Sequence, residues 1–235
     1  MNPGYRLHYA PDNASLIIRL ALETLGMPYE TALVDRAQQA QRGAGYLRLN
    51  PNGLIPVLET SDGAIFETGA ILLWLADRHG RGAPPPSDPD RAAYLKWLFF
   101  LSNTLHADMR ITFYPQLYIG SGDTARTTLR ETVQGRLQTH LEILDDMAAY
   151  RPGWLCPDAP SGLCWYLACL LRWMALYPDD GDRRWFELGR WPRLHSLLAG
   201  LETHPATRAA QDAEGLGPTP FTAPTLARPP EGSAT

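Results

Sequence analysis

The sequence predicts a small α/β unit over residues 1–80, followed by an all-α unit over residues 90–216. Three observations predict it. The first 80 residues alternate short strand-like runs with helical runs in the order βαβ then ββα, which suits a small mixed sheet covered by helices. Residues 80–89 hold four prolines and two glycines, so 81–89 reads as a linker. Beyond it only long 3.6-residue periodicities remain, until a Pro-, Thr- and Ala-rich stretch reads as an irregular tail over 217–235, wrapping the surface.

The elements follow in order. Arg6 to Tyr9 is a short strand. Ser15 to Leu25 is a helix with Ile17, Ala21 and Leu25 on one face, stopped by Gly26. Thr31 to Val34 is a second strand, and Gln38 to Leu49 a helix weakened by Gly43 and Gly45. Val57 to Glu59 and Ile65 to Phe66 form a hairpin around Ser61-Asp62-Gly63. Gly69 to His79 is the next helix. In the second unit, Asp90 to about Tyr118 is helical with a kink at Pro115. Leu129, Val133, Leu137, Leu141 and Leu144 mark a helix over 123–150, and the apolar run Ser161 to Tyr177 belongs at the heart of the helical unit.

The most informative segment is Asn50-Pro51-Asn52-Gly53-Leu54-Ile55-Pro56-Val57-Leu58, followed by Phe66-Glu67-Thr68-Gly69. Pro56 has no N–H for a strand ladder, so it belongs at an edge, and a cis bond is the usual reason for such a proline. A cis Ile55-Pro56 bond turns the Ile55 backbone outward, where an extended ligand can pair with it. Glu67 and Thr68 then stand at a helix start, where free amides receive a carboxylate. A peptide-like ligand carrying an amine and a carboxylate at one end fits, with its amine at Glu67 and its carboxylate at Thr68.

Composition narrows the rest. A net charge of −4 argues against nucleic acid or an anionic membrane as partner, and hydrophobic residues at 45% suffice for a core. Lys96 is the only lysine. Met1-Asn2-Pro3-Gly4-Tyr5 carries no apolar run of a signal peptide, and no stretch is long and apolar enough to span a bilayer. The three cysteines, Cys156, Cys164 and Cys169, are odd in number and lack metal spacing, so a reducing cytoplasm and no metal are expected.

These residues, in this order, closely resemble the glutathione-binding half of the glutathione S-transferase family. Leu7-His8-Tyr9-Ala10-Pro11, the run Ile17 to Glu30, and Trp74-Leu75-Ala76-Asp77 look like the family's first strand, first helix and third-helix end. The resemblance extends from about Tyr5 to about Leu216. It implies a thioredoxin-like N-terminal domain, an all-helical C-terminal domain, glutathione as co-substrate bound at Ile55, Pro56, Glu67 and Thr68, and a homodimer. It also implies a detoxifying enzyme that activates the glutathione thiol for attack on small hydrophobic electrophiles. The alternative is a catalytically weak glutathione carrier or interaction protein.

The chemistry the family implies is ionisation of a thiol whose free pKa is roughly 8.5. Four donors compete: the Tyr9 phenol, the Asn13 amide, the Ser15 hydroxyl and the backbone amides that open the first helix. Each side chain also has an ordinary role, Tyr9 in the core and the other two as helix caps. The closest likeness is to the bacterial beta class, which carries a Cys directly before a Ser in this loop. Here Ala14 occupies the Cys position and Ser15 keeps the Ser. Thiol-disulfide exchange therefore lacks its nucleophile. Ser15, backed by the helix-start amides, is the expected activator.

Trp97-Leu98 and Thr104-Leu105-His106 resemble the beta-class helix whose His approaches glutathione. The class commonly follows that His with Lys; here Ala107 follows, and Arg110, one turn on, is placed to replace the charge. Asn103 lies one turn before His106 as a further glutathione contact. Phe113, Tyr114, Tyr166 and Trp173 are expected to line the electrophile pocket with Arg110. In Ser161-Gly162-Leu163-Cys164 the family's capping box loses its acid to Cys164, which removes one cap worth about 1 kcal/mol. Cys164 and Cys169 are expected to be buried and unreactive.

Overall fold

The computed structural model describes residues 4–179 and 181–234. Met1, Asn2 and Pro3, on which part of the no-leader reading rests, lie outside the described residues, as does the tail's Thr235. Four strands form one sheet in the order β2-β1-β3-β4. β1 (Arg6–Tyr9) pairs in parallel with β2 (Glu30–Leu33), which begins one residue earlier than expected. β3 (Val57–Thr60) runs antiparallel to β1, and β4 (Gly63–Phe66) closes the hairpin. The Ile55-Pro56 bond is cis, and Pro56 is buried immediately before β3.

α1 (Ser15–Leu25) ends on Gly26 at φ +64°, a left-handed cap that glycine adopts without strain. Its central turns are buried all round, Arg19 included, because it is wedged between the sheet and the helical region. The helix expected over 38–49 is not one helix. A 3-10 turn at Ala40–Arg42 and the single turn α2 (Ala44–Leu47) are separated by Gly43 in extended conformation. The two glycines that weaken the pattern are enough to break it, since the 3-10 turn buries nothing and the single turn α2 buries only Tyr46, against Val34 and Val57. α3 runs over Thr68–His79.

The helical region opens with α4 (Arg91–Phe100), a π-turn at Leu101–Leu105 and α5 (His106–Phe113). This path ends at Tyr114, whose φ of −128° and ψ of 53° leave the helical region just before Pro115, as the pre-proline clash requires. α6 (Gln116–Ile119) is a single turn, and α7 (Asp123–Ala149) is the long helix that the Leu/Val spacing marks. α8 (Gly162–Leu176) is buried along almost its whole length, Cys164 and Cys169 included. α9 (Pro192–Glu202) and α10 (Pro205–Glu214) complete the region. Among the described residues, no helix is long and apolar enough to cross a membrane.

The start of α8 is built differently from a capping box. Ser161 makes no side-chain cap; its hydroxyl instead donates to the Trp154 carbonyl at 2.6 Å, tying down the preceding loop. Arg172, inside the apolar α8, is fully buried and needs a partner. Asp12 of the β1–α1 loop supplies it, accepting from Arg172 Nε and Nη2 at 2.8 Å each. The same carboxylate accepts from Trp173 Nε1 at 2.8 Å and the Tyr177 hydroxyl at 2.9 Å. One acid thus locks the N-terminal loop to the helical core. A second buried pair, Arg19 with Glu214 at 2.7 Å, binds α1 to α10, and Glu214 also accepts from the Asp12 N–H at 2.7 Å.

The tail is irregular, as the composition predicts, but its path is fixed. Gly215 caps α10 at φ +64°, and a Cβ there would stand 2.0 Å from the Arg228 carbonyl oxygen. Glu202 accepts from the backbone N–H groups of Phe221 and Thr222, both at 2.8 Å. Arg172 donates to the carbonyls of Pro220 at 2.9 Å and Thr225 at 3.0 Å. The chain then crosses to the sheet side, where Tyr9 donates to Glu231 and Arg36 Nη1 donates to the Ala234 carbonyl at 2.8 Å.

Candidate active site

The candidate site is taken between the first turns of α1 and α3 on one side and, on the other, the face of α5 that bonds α8 through His106 and Tyr166. Glu67 caps α3 at φ +73°, a conformation that costs a non-glycine residue on the order of 1–3 kcal/mol and that persists where its surroundings impose it. Its side chain is exposed, while Thr68 beside it is buried. The π-turn of the helical region lies against this corner: a Cβ on Gly69 would stand 3.7 Å from that of Ser102. Such turns are frequent at functional sites.

His106 opens α5, and its Nδ1 lies 2.9 Å from the Tyr166 hydroxyl of α8. Its ring also faces Trp173, with centroids 6.1 Å apart. Burial, with the Arg110 charge one turn on, lowers the His106 pKa to about 4, so the imidazole is neutral at pH 7. Burial raises the Tyr166 phenol pKa, and the Glu67 charge across the cleft adds to the effect, which places the two walls within electrostatic reach.

The α1 wall differs from the expectation in two places. Ser15, expected to activate a thiol, is fully buried and donates its only hydroxyl proton to the Ala10 carbonyl at 3.0 Å, while accepting from the Ala10 N–H at 3.2 Å. The reason is its place in the turn: the hydroxyl closes the loop on itself. Tyr9 is spent as well. Its phenol donates to Glu231, its ring lies under Arg19 at 4.8 Å, and burial together with the Glu231 carboxylate raises its pKa. Asn13 is different. It is half-buried, and its Oδ1 accepts from the Ala14 N–H at 2.8 Å, which turns the NH2 group away. That NH2 has no partner among the described residues. No side chain caps the first turn of α1.

The aromatic residues divide. Tyr166 and Trp173 are buried, with their polar ends bound to His106 and Asp12, so they pack beneath α5 and are not exposed to line a pocket. Phe113 is half-buried against Tyr114 and Tyr177, and Tyr114 is more exposed at the mouth. Ile55 is half-buried. Asn103 is exposed and accepts from Ser102 at 2.9 Å, with nothing tying it to His106. Burial pushes the Cys164 thiol up to about 11 and Cys169 well above its ordinary value, which agrees with their expected inertness. Sequence reasoning missed Asp12, Arg36 and Glu231 entirely. The available signal was the lone Arg172 in an apolar helix, which requires a buried acid somewhere.

Residues 14–78 match the family model described as glutathione S-transferase, N-terminal domain. A glutathione S-transferase, GST-4.5, of Xanthomonas campestris is 28% identical over 221 residues, covering 90% of this chain and 99% of the relative. The solved structure of a sphingomonad glutathione S-transferase complexed with glutathione superposes with a TM-score of 0.71 at 29% identity, over 90% of this chain and all of that one. Over nearly its whole length the chain is similar to glutathione S-transferases. A bacterial beta-class glutathione S-transferase of Sphingomonas chungbukensis superposes with a TM-score of 0.67 at 25% identity, over 87% and 96% of the two chains. The sheet with its covering helices therefore has the thioredoxin-like fold, and the whole chain, with its helical region, has the glutathione S-transferase fold.

Proposed function

We propose that this protein binds glutathione in the cleft, ionises its thiol and directs the thiolate at small hydrophobic electrophiles. The reading is supported above all by one juxtaposition: Glu67 and Thr68 open α3 with the Glu67 charge in electrostatic reach of Tyr166, the residue that bonds His106. The γ-glutamyl amine meets Glu67, its carboxylate meets Thr68 and the α3 amides, and the peptide backbone runs along Ile55. The sulfur then lies at the uncapped start of α1. There the Asn13 NH2 and the helix-start amides stabilise negative charge. With Tyr166 donating to Nδ1, His106 carries its proton on Nε2 and donates toward the ligand. The thiolate attacks the electrophilic carbon, a C–S bond forms, and the leaving group departs with its electron pair.

The working form is a cytoplasmic homodimer of two-domain subunits, residues 1–80 and 90–216 joined by 81–89. The ultraviolet thiolate band of bound glutathione, followed against pH, tests the chemistry. The bound thiol should ionise below its free pKa of roughly 8.5. Asn13→Ala should raise that bound value by about one unit and slow conjugation, with affinity little changed. A second reading, glutathione carriage with little catalysis, draws on a specific observation: both hydroxyls of the α1 wall, Tyr9 and Ser15, are spent inside the protein. Glutathione bound wholly as the neutral thiol would favour it.

A further inference from the structure

Helix α5 presents two faces. Asp108, Met109 and Thr112 are buried, with Asp108 paired to Arg136 at 2.9 Å and His140 at 3.1 Å of α7, and the Thr112 carbonyl accepting from Arg130. The opposite stripe is His106, Arg110, Phe113 and Tyr114, at i, i+4, i+7 and i+8. Its first member bonds Tyr166 in the cleft. Its last approaches the N-terminal domain, where Arg36 Nη2 lies 3.4 Å from the Tyr114 hydroxyl. Arg110 is in the middle of this stripe and is half-buried. Its Nε is buried and has no hydrogen-bond partner among the described residues. Arg19 and Arg172, the buried arginines of the core, are each paired with a carboxylate. A guanidinium nitrogen withdrawn from water with nothing to donate to is costly, and a planar fork suits a carboxylate or sulfonate.

We propose that Arg110 is the acid-binding subsite of the electrophile pocket, so that the preferred co-substrates carry an anionic group on an apolar body. This deepens the glutathione transferase reading and rests on it. In that reading the thiol lies at the α1 start and the γ-glutamyl end at α3, with His106 beside the ligand. Arg110 stands one turn farther along α5, toward Phe113 and Tyr114, where the group attached to sulfur must go. The aromatic side chains take the apolar body, and Arg110 takes the acid at its far end.

Calorimetry with three thioethers tests the subsite on the full chain: S-methylglutathione, S-benzylglutathione and S-(4-carboxybenzyl)glutathione. The wild type should bind the carboxybenzyl compound about tenfold more tightly than the benzyl compound. Arg110→Gln should abolish that preference while leaving the affinities for the methyl and benzyl compounds within about twofold. Arg110→Lys, which keeps the charge and loses the fork, should retain part of it. A wild type that binds the methyl and benzyl compounds but shows no preference for the carboxylate overturns this proposal and spares the transferase reading; this comparison needs no variant to fold. An equal loss of all three ligands in Arg110→Gln overturns it too, since the arginine would then serve glutathione itself. Failure of the wild type to bind S-methylglutathione overturns the transferase reading, and the subsite with it.

Discussion

Asp12→Asn tests how the β1–α1 loop is held in place. The substitution suits the backbone, because Asp12 sits at φ +48° and asparagine tolerates that region as well as aspartate does. What changes is charge. The Asp12 carboxylate takes four hydrogen bonds, from Arg172 twice, Trp173 and Tyr177. Asparagine keeps one oxygen as acceptor and turns a donor toward the guanidinium. Arg172 is then a fully buried cation whose remaining partners are backbone carbonyls of the tail. Breaking a buried pair from one side costs about 3–5 kcal/mol. Against a total stability of roughly 5–15 kcal/mol, that is a large share. For a chain of this size it corresponds to a fall in Tm of about 6–20 °C. Differential scanning calorimetry and urea titration measure it. Asp12→Asn combined with Arg172→Met removes both charges and should recover part of the loss. A single variant that melts within about 2 °C of wild type would refute the assignment of Asp12 as the lock between loop and core.

The remaining expectations concern ligand, pH and assembly. Glu67→Ala removes a charge-assisted contact to the γ-glutamyl amine and should cost about 1.5–3 kcal/mol of glutathione affinity by calorimetry; wild-type affinity would displace glutathione from this corner. His106 has a folded pKa of about 4 against an ordinary 6.5. The unfolded chain therefore binds more protons between those values, so its contribution to stability falls as pH drops from about 6.5 to 4, by up to roughly 3 kcal/mol. His106→Gln should lose less stability over that window than wild type in urea titrations at matched pH; equal losses would place the ring in water. Phe99 is exposed on α4, and Trp74 of α3 is only partly covered. Light scattering at micromolar concentration should therefore give twice the chain mass of 26.1 kDa, and a monomer would contradict the dimer.

Much of the fold was legible because it is written in local pattern. β1, α1 with its Gly26 stop, the β3–β4 hairpin and α7 follow from periodicity and turn residues within a few positions of each end. The one element misread as a continuous helix, 38–49, shows the limit of that reasoning. Two glycines lower the propensity by about 1 kcal/mol each, and among the apolar residues of the two helical pieces only Tyr46 is buried. The tail was legible as irregular, but its route was not. That route depends on Arg172 and Glu202 reaching backbone groups far along the chain, and no window of sequence contains both partners.

The candidate site divides along the same line. Glu67 and Thr68 were legible as the opening of α3 because a helix start is a local feature, and the likeness of Trp97-Leu98 and Thr104-Leu105-His106 to a family helix pointed to His106. Ser15 shows that the same residue type in the same place can point either way. A serine at a helix start serves a ligand only if its proton is free, and here the Ala10 carbonyl takes it. Tyr9 is decided by Glu231, 222 residues away. Asn13 stands out only after both are removed: its oxygen is held by the Ala14 N–H, which leaves its NH2 facing outward. With Ala14 in place of the beta-class Cys, the loop has exchanged a nucleophile for a set of hydrogen-bond donors. Such a loop has donors for a thiolate and no sulfur to form a disulfide with it, so under the proposed function bound glutathione attacks the electrophile and does not exchange with this loop.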